Sequence, residues 1–518
     1  MQADSREPDQ GAPPSFRAGL WSFLVVSALV FPVVLGLGMT QGLSHDEHQH
    51  VAAGALVARE GLLPYRDFPH FHTPYLPFAY ALLFRVSDHL LNTARLLSVL
   101  CATGILGVIG SVGWHLFRAR GRAFAARVGA GSVLLAMTTQ LFTGTSGHAW
   151  NHEPALFLTL LAVLAHVAGL RSARVGWFVA SGALLGLAIG TRLTCAPLVA
   201  PFGLALWLYP PPRCWRWGRV FAFAAGLLTG LAGVLYLFAV VPEQAFFANF
   251  GFAKTNILYR FSTGEPRTMT IAKKLRFFFK LIIRPDAALF VAGLFPVLAA
   301  HLAQRGTGRR WRMEVRFVLL LLPFVLIGCF APSPLFDQYF YPLVPFLLLA
   351  GLYAWASIPA QTVWFRRTLL TGLGAVALAL ALGVRAYGEF RDYFDPGEWS
   401  GTKLHQRAQE IRAQVPRGRI LTLAPTHPLE AGLPIYPAFS TGPFAWRISP
   451  YVPPAQAARL GILSPTTLDA ALDADPPAGV LVGLEKKGED LLSAYASSHG
   501  YRSWRWTDRS QLWVAPRD

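Results

Sequence analysis

The sequence predicts a polytopic α-helical membrane protein with about eleven transmembrane helices, its N-terminus inside and its C-terminus outside. A C-terminal extracytoplasmic α/β domain follows. Three observations carry this. Of 518 residues, 53% are hydrophobic and only 14% charged, where a soluble domain would carry roughly 25% charged residues. Apolar windows of about 20 residues, the length that crosses a bilayer, recur along the chain. Arginine is concentrated in alternate short loops, as the positive-inside rule requires.

An N-terminal tail, 1–17, precedes a first apolar segment that is longer than a signal-peptide core and lacks a small-x-small cleavage site, so it reads as a retained anchor. Apolar windows fall near 18–40, 92–117, 124–143, 151–170, 176–190, 193–209, 219–241, 286–303, 316–331, 338–357 and 368–385. The loops that stay inside carry Arg118, Arg120, Arg122 and Arg127; Arg171 and Arg174; Arg213, Arg216 and Arg219; Arg305, Arg309, Arg310 and Arg312; and Arg366 and Arg367. Loops 144–150 and 332–337 hold no lysine or arginine. Two long connections, 41–91 and 242–285, then fall outside. The second is basic, with Lys254, Arg260, Arg267, Lys273, Lys274, Arg276, Lys280 and Arg284. Residues 18–385 thus form a membrane domain and 386–518 the outer domain. The latter pattern gives helices near 399–414 and 486–498, strands near 419–423, 479–484, 501–507 and 511–515, and Pro-rich connectors at 425–454.

The net charge of +18 reflects topology and anionic lipid headgroups rather than nucleic acid, because the basic residues are scattered among apolar spans. Cys101, Cys195, Cys214 and Cys329 form no CxxC pair, which argues against a zinc knuckle or a disulfide framework. No internal repeat supports an inverted-repeat transporter, the alternative reading.

The chemistry concentrates just beyond the first span. Asp46 and Glu47 are flanked by His45, His48 and His50, and followed by Asp67, His70 and His72. Ionisable groups so close to lipid are expensive unless they line a site. Ser44 and Glu47 have capping-box spacing, so Glu47 either caps a helix or takes part in catalysis. Asp46 and His50 share one helical face, which lets the imidazole orient the carboxylate. Gly61 ends that helix. In FPHFHTPYLPF the prolines forbid regular helix, and such backbone near lipid must line a cavity, placing His70 and His72 beside Asp46. A zinc-type site built from Asp46, His48 and His50 is the metal reading; imidazoles bonded to phosphate, sugar or backbone are the alternative.

The order Asp-Glu, short helix, Gly-x-x-Pro-Tyr-x-Asp-Phe and His-x-Pro resembles the first outer loop of GT-C superfamily glycosyltransferases, family 39. That group includes the protein O-mannosyltransferases and the lipid A aminoarabinose transferase. GHAWNHEPAL at 147–156, GLAIGTRLTCAP at 186–197 and QYFYPLVPFLLLAG at 338–351 follow the same pattern in order. The resemblance implies a GT-C fold and transfer of a sugar, with inversion, from a polyprenyl-phosphate donor to a lipid, glycan or protein acceptor at the outer face of a bacterial inner membrane. It implies Asp46 as general base, with Glu47 or Glu153 assisting, and no required cofactor. It assigns substrate and donor-phosphate contacts to Arg192, His50, His72, Tyr65, Asp67, Lys254, Tyr259 and Arg260. Where the aminoarabinose transferase carries a lysine near His72–Pro74, this chain has histidine and threonine. The outer MIR module of the protein O-mannosyltransferases is absent.

Overall fold

The computed structural model describes residues 16–209, 216–264, 269–283, 286–305, 311–388, 390–485 and 487–516. Arg213, Cys214, Arg267, Arg284, Arg309 and Arg310 lie outside the described residues. The membrane domain contains α1 (Phe16–Thr40), α2 (His45–Glu60), α3 (Tyr75–Leu83), α4 (Leu90–Phe117), α5 (Arg122–Met137), α6 (Gln140–Thr143), α7 (His152–Ser172), α8 (Val175–Thr191), α9 (Val199–Leu208), α10 (Arg216–Val240), α11 (Pro242–Phe246), α12 (Phe252–Ser262), α13 (Ile271–Ile283), α14 (Ala287–Gln304), α15 (Met313–Phe330), α16 (Leu343–Ala356) and α17 (Val363–Gly383). Every apolar window coincides with a helix. Among the described residues eight helices are long and apolar enough to cross a membrane, and two more, Val175–Thr191 and Leu193–Leu208, are shorter. The window at 124–143 divides into α5 and the single turn α6.

Glycine sets the tightest helix pair. Gly182 and Gly186 on α8 face Gly226 and Gly230 on α10. A Cβ at Gly182 would lie 2.1 Å from the Phe223 carbonyl oxygen, and one at Gly226 would lie 2.0 Å from that of Val179. Without a hydrophobic drive between helices in lipid, such backbone approach is the source of attraction. Gly226→Leu is therefore expected to destabilise the bundle by about 1–3 kcal/mol, read as a lower unfolding temperature in detergent. An unchanged melting curve would refute the packing argument.

The Pro-rich 61–74 segment folds into a tight turn. Tyr65 takes a left-handed φ of 70°, and its N–H donates to the Phe68 carbonyl at 3.0 Å. The outer domain contains α18 (Ser400–Gln414), β1 (Ile420–Leu421), α19 (Thr426–Glu430), α20 (Pro443–Ile448), α21 (Pro454–Arg459), α22 (Leu468–Ala474), β2 (Gly479–Val482), α23 (Asp490–Ser498), β3 (Arg502–Arg505) and β4 (Gln511–Val514). Its four strands run in the order β1-β2-β4-β3; β1 is parallel to β2 and the other two pairs are antiparallel.

The connector between β1 and β2 carries the docking surface. His48 Nδ1 lies 2.8 Å from Thr426 Oγ1, the Leu91 N–H donates to Glu430 at 2.7 Å, and Ser440 donates to the Pro69 carbonyl at 3.0 Å. The 425–454 connector thus roofs α2 and the 61–74 loop.

Candidate active site

Ser44 and Glu47 form the capping box that the spacing anticipates: the Asp46 N–H donates to Ser44 at 3.3 Å and the Ser44 N–H to Glu47 at 2.9 Å. The cap fixes where each carboxylate points. Glu47 turns inward and is fully buried. Arg95 of α4 grips it with two donors, Nε at 2.9 Å and a terminal nitrogen at 2.8 Å, and the Ala149 N–H adds a third at 2.7 Å. Burial alone would raise its proton affinity, but Arg95 and His148 outweigh that and hold the carboxyl far below the usual range. The catalytic expectation for Glu47 is thereby corrected: its oxygens are committed to holding α2, α4 and the 144–151 loop together.

Asp46, next in sequence, turns outward. Its side chain is 33% exposed and pairs with the His45 imidazole at 3.5 Å. A small recess of about 30 Å³ lies nearby, lined by His152, Arg192, Thr194, Cys195, Tyr339 and apolar groups from α7, α15 and α16. The Asp46 carboxylate is not in its wall but is close enough for its charge to act on Tyr339. The charges acting at the Tyr339 hydroxyl are those of Asp46, Arg192, Arg447 and Arg260. Arg192 ends α8 in extended backbone. Its guanidinium donates to Thr194 at 2.9 Å and Asn151 at 2.5 Å, and sits 5.4 Å above the Tyr339 ring.

His50, His70 and His72 gather together within reach of the Arg192 charge. The expected irregular stretch, however, ends at Pro74: α3 starts at Tyr75 and takes Pro77 in its first turn, where a missing N–H costs no helical bond. Ring centroids are 4.9 Å apart for His50 and His72, and 6.0 Å for His50 and His70. Burial, then neighbouring imidazoles, pushes His70 down to about 3, and burial with Arg192 does the same to His72. Both are neutral at pH 7. Their unfolded pKa lies near 6.5, so the stability they contribute is complete above that and is lost as pH falls toward 3. Each imidazole gives a slope of at most about 1.4 kcal/mol per pH unit. Melting temperature is expected to fall steadily between pH 6.5 and 4, and less so in His70→Gln. A flat profile in the wild type would contradict the buried neutral cluster.

The metal reading is not supported by the geometry. His48 turns to Thr426 in the outer domain and His50 to His72, so they diverge from Asp46. Among the described residues no group of three His, Cys, Asp or Glu side chains is arranged to hold a metal.

Other expected contacts are also redirected. The Tyr65 hydroxyl donates to the His72 carbonyl and accepts from Asn249. Asp67 accepts from the Leu63 N–H at 2.7 Å and pairs with Arg66 at 2.8 Å. Both shape the loop and have no group left for substrate. Lys254 is exposed, whereas Tyr259 and Arg260 on the same helix are half-buried; none of the three lines the recess. Glu153, like Asp46, is not among the groups that line the recess. It is fully buried and takes the Gly147 N–H at 3.2 Å, so the anticipated convergence with Asp46 is not found.

Arg447 escaped the sequence reading. It comes from α20 of the outer domain, donates to Asn256 at 2.9 Å, and stacks 4.3 Å from Phe444 and 5.5 Å from Tyr259. Phe444 in turn lies 5.6 Å from the His45 ring. Burial first, then Arg260, lowers its pKa to about 10. Its neighbour Trp446 is packed inside, donating to the Gly488 carbonyl at 2.9 Å.

A bundle of apolar helices whose long loops and α/β domain close over one ionisable recess is the GT-C fold, the architecture of membrane glycosyltransferases. Residues 71–240 match the family model described as dolichyl-phosphate-mannose-protein mannosyltransferase. The crystal structure of ArnT from Cupriavidus metallidurans bound to undecaprenyl phosphate is similar over 97% of this chain and 100% of that one, with a TM-score of 0.58 and 14% identity. The apo oligosaccharyltransferase of Archaeoglobus fulgidus is similar over 93% of this chain and 73% of that one, with a TM-score of 0.49 and 11% identity. No curated protein matches in sequence.

Proposed function

We propose that the protein is an inverting glycosyltransferase that moves a sugar from a polyprenyl-phosphate donor to a hydroxyl acceptor at the outer face of a bacterial inner membrane. The observation that supports the proposal is that one partly exposed carboxylate, Asp46, and three guanidinium groups, Arg192, Arg447 and Arg260, act together at Tyr339 of the recess. Asp46 takes the proton of the acceptor hydroxyl as its oxygen attacks the anomeric carbon. The bond from that carbon to the phosphate oxygen breaks, and polyprenyl phosphate departs with the electron pair.

The phosphate gains one negative charge in this step. Arg192 meets it from the membrane side and Arg447 from the outer domain, and such donors each lower a barrier by about 3 kcal/mol where water is excluded. Neutral His50 and His72 donate N–H groups to sugar or phosphate without adding charge. Glu47 and Glu153 position the loops that present Asp46. The acceptor is a lipid, a glycan or a protein. No divalent metal enters the proposed step.

The test is undecaprenyl phosphate binding to the purified protein, followed by native mass spectrometry. Arg192→Gln and Arg447→Gln are each expected to weaken binding about tenfold or more, the value of a hydrogen bond to a charged group. Wild-type protein that retains no undecaprenyl phosphate would remove the donor class.

A further inference from the structure

Helix α13, IAKKLRFFFKLII, has three faces rather than two. Phe277, Phe278 and Leu281 turn inward. Phe278 lies 5.3 Å from Phe330 and 5.2 Å from Phe340, ring to ring, and 6.1 Å from Phe290. Those partners mark one level of the bundle: Phe290 is in the first turn of α14, Phe330 is the last residue of α15, and Phe340 lies three residues before the start of α16. Buried Lys274 fastens the helix at the same level, donating to the Phe330 and Pro332 carbonyls at 2.7 Å each. So α13 lies where three apolar helices end, one residue from Tyr339 of the recess.

The other two faces look away from the protein. Ile271 and Ile283 are 79% and 76% exposed, and Leu275 and Phe279 lie between them on the same stripe. Lys273, Arg276 and Lys280 form an adjacent exposed stripe. With 13 residues the helix is about 20 Å long, too short to span a hydrocarbon core of about 30 Å. An exposed apolar stripe beside a cationic one, held at the height of the helix ends, has the form of an interfacial helix.

We infer that α13 is a docking surface for the bilayer itself, with its apolar stripe in the acyl region and Lys273, Arg276 and Lys280 on the phosphates of anionic phospholipids. It would gather acidic headgroups around the lipid-side approach to the recess. The inference rests on the helix's position and charge and is independent of the catalytic proposal.

Full-length protein in vesicles of equal phosphatidylglycerol and phosphatidylcholine tests it, with a nitroxide placed at Phe279→Cys or Arg276→Cys. The label at 279 is expected about 5–10 Å below the phosphates, favouring oxygen over a water-soluble nickel quencher. The label at 276 should sit at phosphate level. In nanodiscs of the same composition, Lys273→Gln/Arg276→Gln/Lys280→Gln should lose enrichment of phosphatidylglycerol at the protein by about fivefold per cation removed at low salt. A water-exposed label at 279 overturns the docking. A triple variant with wild-type phosphatidylglycerol enrichment overturns the headgroup contact.

Discussion

Asp46→Asn is expected to reduce sugar transfer by about 10²–10⁴-fold while leaving the folded protein intact. Asparagine keeps the size and one acceptor oxygen but cannot take up a proton at neutral pH. Among the described residues its carboxylate pairs with the half-exposed His45 imidazole at 3.5 Å, so little structure depends on it. Membranes carrying the variant should accumulate a polyprenyl-phosphate sugar and lose one surface glycan. Comparing lipid extracts from variant and wild-type cells would also name the donor. A variant that folds, inserts and changes no lipid-linked sugar would sink the glycosyltransferase mechanism and favour transport.

The neighbouring carboxylate should behave in the opposite way. Glu47→Ala is expected to destabilise the protein by about 3–5 kcal/mol, because it strands the fully buried Arg95 guanidinium. Arg95 also donates to the Gln41 carbonyl at 2.7 Å and that of Gly42 at 3.1 Å, so the start of the first outer loop loosens with it. Thermal unfolding in detergent reads the loss directly. The double variant Glu47→Leu/Arg95→Leu should lose less than the sum of its parts, since it removes both charges together. Additive losses would mean that the two side chains are not coupled. Adjacent residues of like chemistry thus separate by assay, one through rate and the other through folding.

Much of the fold is legible because lipid imposes strong rules: length, apolarity and loop charge locate the long apolar helices of the bundle, though not the shorter α3, α11, α12 and α13 of the outer loops. The 124–143 window was misjudged as a single span because hydropathy averages over the Thr138–Thr139 break, which ends α5. Within the site, signals local in sequence were readable. The capping box, the Gly61 stop and the proline-forced recess around His70 and His72 all follow from residues a few positions apart. The capping box leaves Glu47 open between a cap and a catalytic role, and its burial depends on Arg95, which lies about fifty residues away and is not marked in the local pattern. The hydroxyl of Tyr65 and the carboxylate of Asp67 looked available only because their partners, a carbonyl and a backbone N–H, leave no trace in sequence. Arg447 was invisible for the same reason on a larger scale. It sits in a Pro-rich connector and acquires meaning only when α20 lands on α12.

That landing bears on how the protein is made. The floor of the site, α2 and the 61–74 loop, emerges early from the ribosome, whereas the strip that closes over it at Thr426, Ser440 and Arg447 emerges near the end. Throughout the synthesis of the bundle, α2 and the 61–74 loop stand without the strip that covers them and without the Arg447 guanidinium. The contacts of His48, Pro69 and Asn256 to Thr426, Ser440 and Arg447 therefore form only after the outer domain has been made, so the cover over α2 comes after the helices it closes.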